Sequence, residues 1–159
     1  YQLLFNYYNG NKNHLELWEP TRADNYYTLE FHINRIDERL QLMDEKKSMH
    51  FIMLNDSMSE ILGVCNYTKI GKGECWMGYS ISSKYEGMGI MYEAVVSSNN
   101  YMFTQYPICQ INAGVIIRNK RSIKLIKQLS FKPTGNFQQM KINRKVERLE
   151  IYNSIKSDK

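Results

Sequence analysis

The chain contains few cysteines, no long apolar run and no block of basic residues among its 159 residues. A membrane-spanning helix needs roughly 20 consecutive apolar residues, so the sequence predicts none. The net charge of +5 favours anionic ligands or partners, but no basic segment is long enough to resemble a nucleic-acid-binding arm. With 43% hydrophobic and 23% charged residues, the chain has the composition of an ordinary globular domain.

Cysteine is scarce and odd in number. Cys65, Cys75 and Cys109 each lie in an apolar, strand-like context, and their spacing matches no metal site. We therefore predict reduced, buried thiols in a cytoplasmic protein. The three histidines show no metal-ligand spacing either, so the sequence predicts no metal cofactor.

The apolar pattern predicts a mixed arrangement of helices and strands. The predicted helices are 2–8, 24–47, 91–103 and 120–130, and the predicted strands are 50–54, 61–68, 75–82, 108–117, 131–142 and 146–152. Short loops between the first three strands indicate an antiparallel meander, whereas the strand–helix–strand order around 91–103 indicates a parallel pair. The predicted fold class is α/β (α+β), a mostly antiparallel mixed sheet with a central parallel pair and helices on both faces. One domain is expected to cover 1–159.

The second predicted helix carries an apolar stripe that we expect to face the core. Its members, spaced by alternating fours and threes, are Leu29, Ile33, Ile36, Leu40 and Met43.

The most informative segment is the glycine loop 83–90, which lies between a predicted strand and a predicted helix. Glycines let the backbone approach a ligand, and the free N–H groups of a first helical turn attract anions. The sequence therefore predicts that the main chain of Gly87, Met88, Gly89 and Ile90 holds a phosphate or diphosphate. Taken alone, such a loop is more often an ordinary turn with glycines for tight packing.

Four motifs in order resemble the GCN5-related N-acetyltransferase (GNAT) superfamily, and within it the ribosomal-protein-alanine N-acetyltransferases. They are the strand 78–81, the loop 84–89 with Glu93-Ala94, the segment 119–122 followed by 129–131 and Gly135, and Asn13-His14-Leu15 with Trp18-Glu19-Pro20. The likeness runs from residue 7 to residue 152. It implies the GNAT fold and acetyl-CoA as cosubstrate. Because that family's first strand normally precedes a helix aligned with 2–8, we expect this numbering to lack that strand.

The resemblance implies roles for individual residues. The strand end that would pair with the pantetheine amides and supply an oxyanion donor consists of Tyr79, Ser80 and Ile81. Lys84 would meet phosphate as a point charge, where the family usually has Gln or Arg. Asn119 would cap a helix and contact the cofactor. Ser122 would protonate the leaving thiolate, unless its hydroxyl instead bonds to its own backbone in the first helical turn.

The general base is left open. Glu74 and Glu19 are the candidates, acting directly or through water, although each also fits a plain surface charge. His14 and Trp18 are expected on the substrate side. Glu86 departs from the pattern, because a carboxylate beside a diphosphate should point to solvent or weaken binding.

These features predict an N-acetyltransferase that acts on a protein N-terminal α-amine, such as that of a ribosomal protein. An α-amine has a pKa of about 7.7–8.0, against about 10.4 for lysine, so it needs little help to lose its proton. Two alternatives remain: a small-molecule acetyltransferase for an amino sugar, polyamine or antibiotic, and a non-catalytic CoA-binding module. A homodimer is left open, and no membrane or direct nucleic-acid partner is expected.

Overall fold

A computed structural model describes residues 1–157 and folds them into a six-stranded sheet flanked by helices. The helices are α1 (Gln2–Gly10), α2 (Lys12–Leu15), α3 (Leu29–Asp44), α4 (Ile90–Gln105) and α5 (Lys120–Gln128), with 3₁₀ turns at Asp24–Tyr27 and Ser83–Tyr85. The strands are β1 (Met49–Leu54), β2 (Ile61–Gly71), β3 (Glu74–Ile81), β4 (Gln110–Ile116), β5 (Lys132–Ile142) and β6 (Lys145–Ile155).

The strand order in the sheet is β1-β2-β3-β4-β6-β5. Strands β3 and β4 are parallel, and each of the other neighbouring pairs is antiparallel. The α4 connection between β3 and β4 explains this arrangement, since parallel neighbours need a long crossover. The predicted mixed sheet with a central parallel pair is confirmed.

The long helix predicted over 24–47 is interrupted near its start. Thr28 has an extended backbone, and its hydroxyl accepts a hydrogen bond of 3.3 Å from the Phe31 N–H. A threonine in this conformation caps a new helix, so α3 begins at Leu29 and a 3₁₀ turn precedes it.

The predicted apolar stripe of α3 is wrong at two positions. Ile33 and Leu40 are 37% and 52% exposed, whereas His32 is buried. Helix α3 is thus rotated about its axis relative to the prediction, and two tyrosines account for this. Tyr8 of α1 stacks on the His32 ring at 5.3 Å, and Tyr26 of the preceding 3₁₀ turn meets the edge of that ring at 5.5 Å. Burial, with a smaller effect of the nearby arginines, lowers the pKa of His32 to about 4, so the ring is neutral at physiological pH.

Each face of the sheet carries its own apolar cluster. One cluster joins α4 and α5 to the sheet around Tyr67, Val95 and Ile126. The other joins α1 and the 3₁₀ turn to the opposite face around Tyr8 and Val64. Helices therefore cover both faces of the sheet, as predicted.

The prediction of three buried thiols holds for two of them. Cys65 and Cys75 are buried and free, but Cys109 is exposed. The reason is positional: Cys109 immediately precedes β4, and its Sγ lies 3.4 Å from the Gly73 carbonyl oxygen at the edge of the turn. Within residues 1–157 no helix is long and apolar enough to span a bilayer, and no three potential ligands form a metal-binding group.

Replacing Tyr67 with Phe should lower the free energy of unfolding by about 1–3 kcal/mol, measured by urea denaturation. The fully buried Tyr67 hydroxyl donates to Asn99 Oδ1 at 2.7 Å and lies 2.8 Å from Ser98 Oγ. Its loss leaves a buried amide oxygen without that donor. The matched control is Tyr101→Phe, because Tyr101 is 42% exposed. Equal effects of the two changes would contradict the prediction.

Candidate active site

Strands β3 and β4 are paired over only a short stretch. Their parallel register runs from Glu74 opposite Gln110 to Met77 opposite Ala113. Beyond that point β3 continues along β2 as far as Ile81, while β4 continues along β6. The last residues of β3 therefore have main-chain groups on the β4 side that are not paired with β4, and a wedge opens between the strands.

The glycine loop follows this splayed strand end. Gly87 and Gly89 have φ angles of +78° and +81°, which favour glycine, and Gly89 is the N-cap of α4. In the part of the chain that the structure describes, no hydrogen bond engages the amides of Gly87, Met88, Gly89 or Ile90 as donors. These N–H groups therefore form an anion site of the kind found at helix N-termini.

A cleft of about 1300 Å³ joins the wedge to both flanking helix layers. It is lined by most of the site residues predicted from the sequence: His14, Trp18, Glu19, Tyr79, Ser80, Ile81, Gly87, Gly89, Ile90, Asn119 and Ser122. Met88 contributes its main chain to the loop while its side chain is 64% exposed. The structure thus brings together the residues of four separate sequence motifs.

Ser122 faces the cleft rather than its own backbone. Its Oγ lies 2.7 Å from the Tyr79 hydroxyl, and its amide donates to the Asn119 side chain at 3.1 Å. Asn119 is therefore the N-cap of α5, as predicted, which leaves the Ser122 hydroxyl available. Burial, opposed by the hydrogen bond to Ser122, raises the pKa of Tyr79 to about 12. The phenol keeps its proton at neutral pH.

Lys84 and Glu74 lie outside the cleft. The Lys84 ammonium forms an ion pair of 2.8 Å with Glu60. Glu74 begins β3 at the end opposite to the glycine loop, and its carboxylate accepts hydrogen bonds from Asn112 and Gln110. Ile81 lies seven residue steps further along the extended strand, a distance of roughly 23 Å.

Glu86 has an arginine and a histidine as neighbours. Its carboxylate contacts the Arg121 guanidinium, and its other oxygen lies 3.5 Å from His14 Nε2. The side chain therefore points neither to bulk solvent nor freely at the loop amides. This pairing offsets the charge that the sequence places beside the anion site.

The acceptor side of the cleft contains arginines that the sequence reasoning missed. They are Arg22, Arg35 and Arg39. Glu19 accepts a hydrogen bond of 2.8 Å from Arg22, and Trp18 lies under the Arg118 guanidinium at 4.6 Å. Arg35 and Arg39 are four residues apart on α3, and this spacing could have predicted a pair of arginines on one helix face.

The family of acetyltransferase (GNAT) domains matches residues 3–132. The chain belongs to the GNAT acetyltransferases. It is therefore an acyltransferase that uses acetyl-CoA, and the predicted family and cosubstrate are confirmed.

The chain is also similar to individual proteins that are named as N-acetyltransferases. The ribosomal protein uS5-alanine N-acetyltransferase of Escherichia coli is 30% identical over 135 residues, which are 83% of this chain and 70% of that protein. The probable N-acetyltransferase YjcK of Bacillus subtilis is 30% identical over 128 residues, 79% of this chain and 71% of that one.

Solved structures have the same fold. The ribosomal-protein-S5-alanine acetyltransferase of Vibrio fischeri superposes with a TM-score of 0.93 at 28% identity, covering 98% of this chain and 87% of that one. Mycobacterium smegmatis RimJ, in complex with CoA-disulfide, superposes with a TM-score of 0.84 at 18% identity, covering 92% and 72%. At 18% identity, the second comparison shows the fold alone.

Replacing Gly89 with Ala should weaken acetyl-CoA binding by about tenfold or more, measured by calorimetric titration. An L-residue at this positive φ costs roughly 1–2 kcal/mol, and relief of that strain rotates the loop amides away from the ligand. The added Cβ meets no atom within 4 Å, so folding should persist. Gly10→Ala is the control, because Gly10 also has free space but no positive φ. Unchanged binding in the Gly89 variant would show that the loop does not hold the cosubstrate.

Proposed function

We propose that this protein transfers the acetyl group of acetyl-CoA to the α-amine of a protein N-terminus, such as that of a ribosomal protein. The observation that carries the proposal is the splayed end of β3 beside unpaired loop amides, in a cleft that continues to the Trp18 and Glu19 segment. The Escherichia coli and Vibrio fischeri relatives, which are named for alanine acetylation of a ribosomal protein, support this choice of acceptor.

The cosubstrate would lie along the wedge. The main chain of 87–90 would hold the diphosphate, and Arg121 beside Glu86 would add a cationic contact. The free edge of Tyr79, Ser80 and Ile81 would pair with the pantetheine amides as a partial extra strand. Lys84 pairs with Glu60 and does not line the cleft, so its predicted phosphate contact stays a prediction from the sequence.

The chemistry needs one oxyanion donor and one proton donor. Acetyl-CoA supplies a thioester carbonyl that is activated for attack by an amine. A main-chain N–H of the β3 end would stabilise the developing negative charge on the carbonyl oxygen. Ser122 would then give its proton to the departing sulfur and take one from the Tyr79 hydroxyl, 2.7 Å away. Tyr79 would at once regain a proton from solvent, which has accepted one from the attacking amine, so that the phenol ends the cycle protonated.

The proposed reaction does not require a strong general base. An α-amine with a pKa near 8 is partly unprotonated at neutral pH, so solvent water suffices to accept its proton. Glu19 lines the cleft, and Oε1 has no bond to Arg22 because Arg22 binds Oε2. Glu19 therefore remains the candidate that can act through water. Glu74 has no role as a base in the proposed mechanism, because it lies at the far end of β3.

The acceptor end of the cleft favours a peptide over a small polycation. A polyamine or aminoglycoside acceptor calls for a closed, acidic pocket. Here the acceptor side carries Arg22, Arg35 and Arg39, and among the described residues the Glu19 carboxylate pairs with Arg22 alone. The cytoplasmic location and the lack of nucleic-acid binding stay predictions from the sequence, which leaves a homodimer open.

The proposal is tested with peptide pairs. One peptide of each pair has a free α-amine and a blocked lysine, and its partner has a blocked α-amine and a free lysine. After incubation with the protein and acetyl-CoA, mass spectrometry should show one added acetyl group on the first peptide and little on the second. Acetylation of lysine alone, or of neither peptide, would overturn the proposed acceptor.

Ser122→Ala should lower kcat by about 100-fold, the lower end of typical general-acid effects, with little change in KM for acetyl-CoA. Steady-state kinetics on the reactive peptide measures both constants. The amide that bonds to Asn119 is kept, so α5 should retain its cap. Ser97→Ala is the control, since Ser97 lies on the exposed face of α4. A kcat equal to that of the control would limit Ser122 to a structural role.

A further inference from the structure

Buried polar atoms without a partner are concentrated at one place in this fold. Across residues 1–157, four buried side-chain nitrogen or oxygen atoms have no hydrogen bond, and they belong to Arg22, Tyr26, His32 and Arg35. Such atoms are rare in folded proteins, and a cluster of them requires an explanation. The atoms in both arginines are Nε–H donors, which suit an anionic guest.

The four residues form a single group. The Arg22 guanidinium lies 4.6 Å from the centre of the Tyr26 ring, and the Arg35 guanidinium lies 5.4 Å from it. The His32 ring lies 5.5 Å from the same tyrosine. Arg39 follows Arg35 by one helical turn, and all three arginines line the cleft. One aromatic ring thus holds two guanidinium groups at the acceptor end.

The positive charge of this group is only partly offset. Glu19 pairs with Arg22 at 2.8 Å, but in the described part of the chain neither Arg35 nor Arg39 forms an ion pair. The neighbouring histidines respond to that charge: the pKa of His50 is lowered by burial first, and then by Arg39 and Arg35. A site that keeps two unpaired guanidinium groups near its wall favours an acceptor that brings negative charge.

The group lies a short distance from the reacting end of β3. Ser80 pairs with Val64, and two residues back Gly78 pairs with Asn66, on strands that line the same cleft. Ser80 Oγ lies 3.0 Å from the Tyr7 hydroxyl, and the rings of Tyr7, Tyr8 and Tyr26 follow one another at centre-to-centre distances of 5.1 and 5.4 Å. An extended peptide spans about 3.3–3.6 Å per residue, so a side chain within the first few residues after the amine reaches this group.

We propose that Arg35 and Arg39, supported by Arg22, bind a carboxylate that the acceptor peptide carries within the first few residues after its reactive amine. This inference rests on the proposed function, and it specifies which N-termini are preferred: those with Asp or Glu at the second, third or fourth position. The arginine fork matches a carboxylate, and a partly dehydrated site strengthens the contact.

The first experiment changes only the peptide. Peptides with a common N-terminal residue carry Glu at position two, three or four, and each is compared with its Gln counterpart. At one position at least, the Glu peptide should have a kcat/KM about tenfold higher, mainly through a lower KM. Equal acetylation of all Glu and Gln pairs would overturn this inference while the proposed function stands. Acetylation of no peptide at all would overturn both.

The second experiment changes the protein. Arg35→Gln and Arg39→Gln should each reduce the preference for Glu over Gln severalfold while the Gln peptide is still acetylated, which shows that the variant is folded. Arg39→Glu should favour a peptide with Lys at the same position. Arg144→Gln, at an exposed arginine in the turn between β5 and β6, should keep the wild-type preference. A preference that survives in Arg35→Gln and Arg39→Gln would assign the carboxylate contact elsewhere and overturn the proposal.

Discussion

The divergence of β3 from β4 is the constraint on which the rest of the site depends. Four residues of each strand are paired, from Glu74 to Met77 on β3, before the two separate. Backbone groups freed in this way must find partners, because unpaired buried N–H and C=O groups are costly. A cosubstrate with amide groups can satisfy them. The glycine loop, α5 and the acceptor segment all lie around this opening, so the local break in one ladder organises the whole cleft.

Charge is distributed along the cleft in a consistent way. At the cosubstrate end, free amides and Arg121 meet Glu86, which prevents an excess of positive charge before a diphosphate arrives. At the acceptor end, Glu19 offsets Arg22 but leaves Arg35 and Arg39 unpaired. The acceptor end of the cleft therefore keeps a positive charge that no described carboxylate offsets. The net charge of +5 agrees with this, although a net charge does not show where the charged residues lie.

The parts that could be predicted from the sequence are those with a local cause. A strand, two glycines and a helix start fix the loop through a few backbone angles, and Asn119 before α5 fixes a cap. The same reasoning extends to the mixed sheet, because the crossover length decides parallel pairing. The family resemblance then indicated that four separate motifs belong to one site, which local chemistry alone does not show.

The parts that could not be predicted have a tertiary cause. The rotation of α3 follows from Tyr8, which stacks on His32 from a segment remote in sequence, and from Tyr26, which meets the edge of the same ring from the preceding 3₁₀ turn. Helical periodicity favoured the apolar Ile33 and Leu40 instead, since it contains no information about the partner surface. The arginines that face the cleft were missed for the same reason. The ion pair of Lys84 with Glu60 was not predicted either, because Glu60 lies 24 residues earlier in the chain, in the turn before β2.

The pleat of β3 explains how one strand separates two substrates. Successive side chains point to opposite faces of a sheet. Tyr79 therefore reaches Ser122 on the α5 side at 2.7 Å, while Ser80 reaches the Tyr7 hydroxyl on the α1 side at 3.0 Å. The backbone between them lies at the boundary of the two faces, where its free edge opens to the wedge. An amine arriving from the α1 side and a thioester lying on the α5 side would meet at these main-chain atoms. In the proposed mechanism the chemistry therefore depends on the position of the backbone more than on any single side chain.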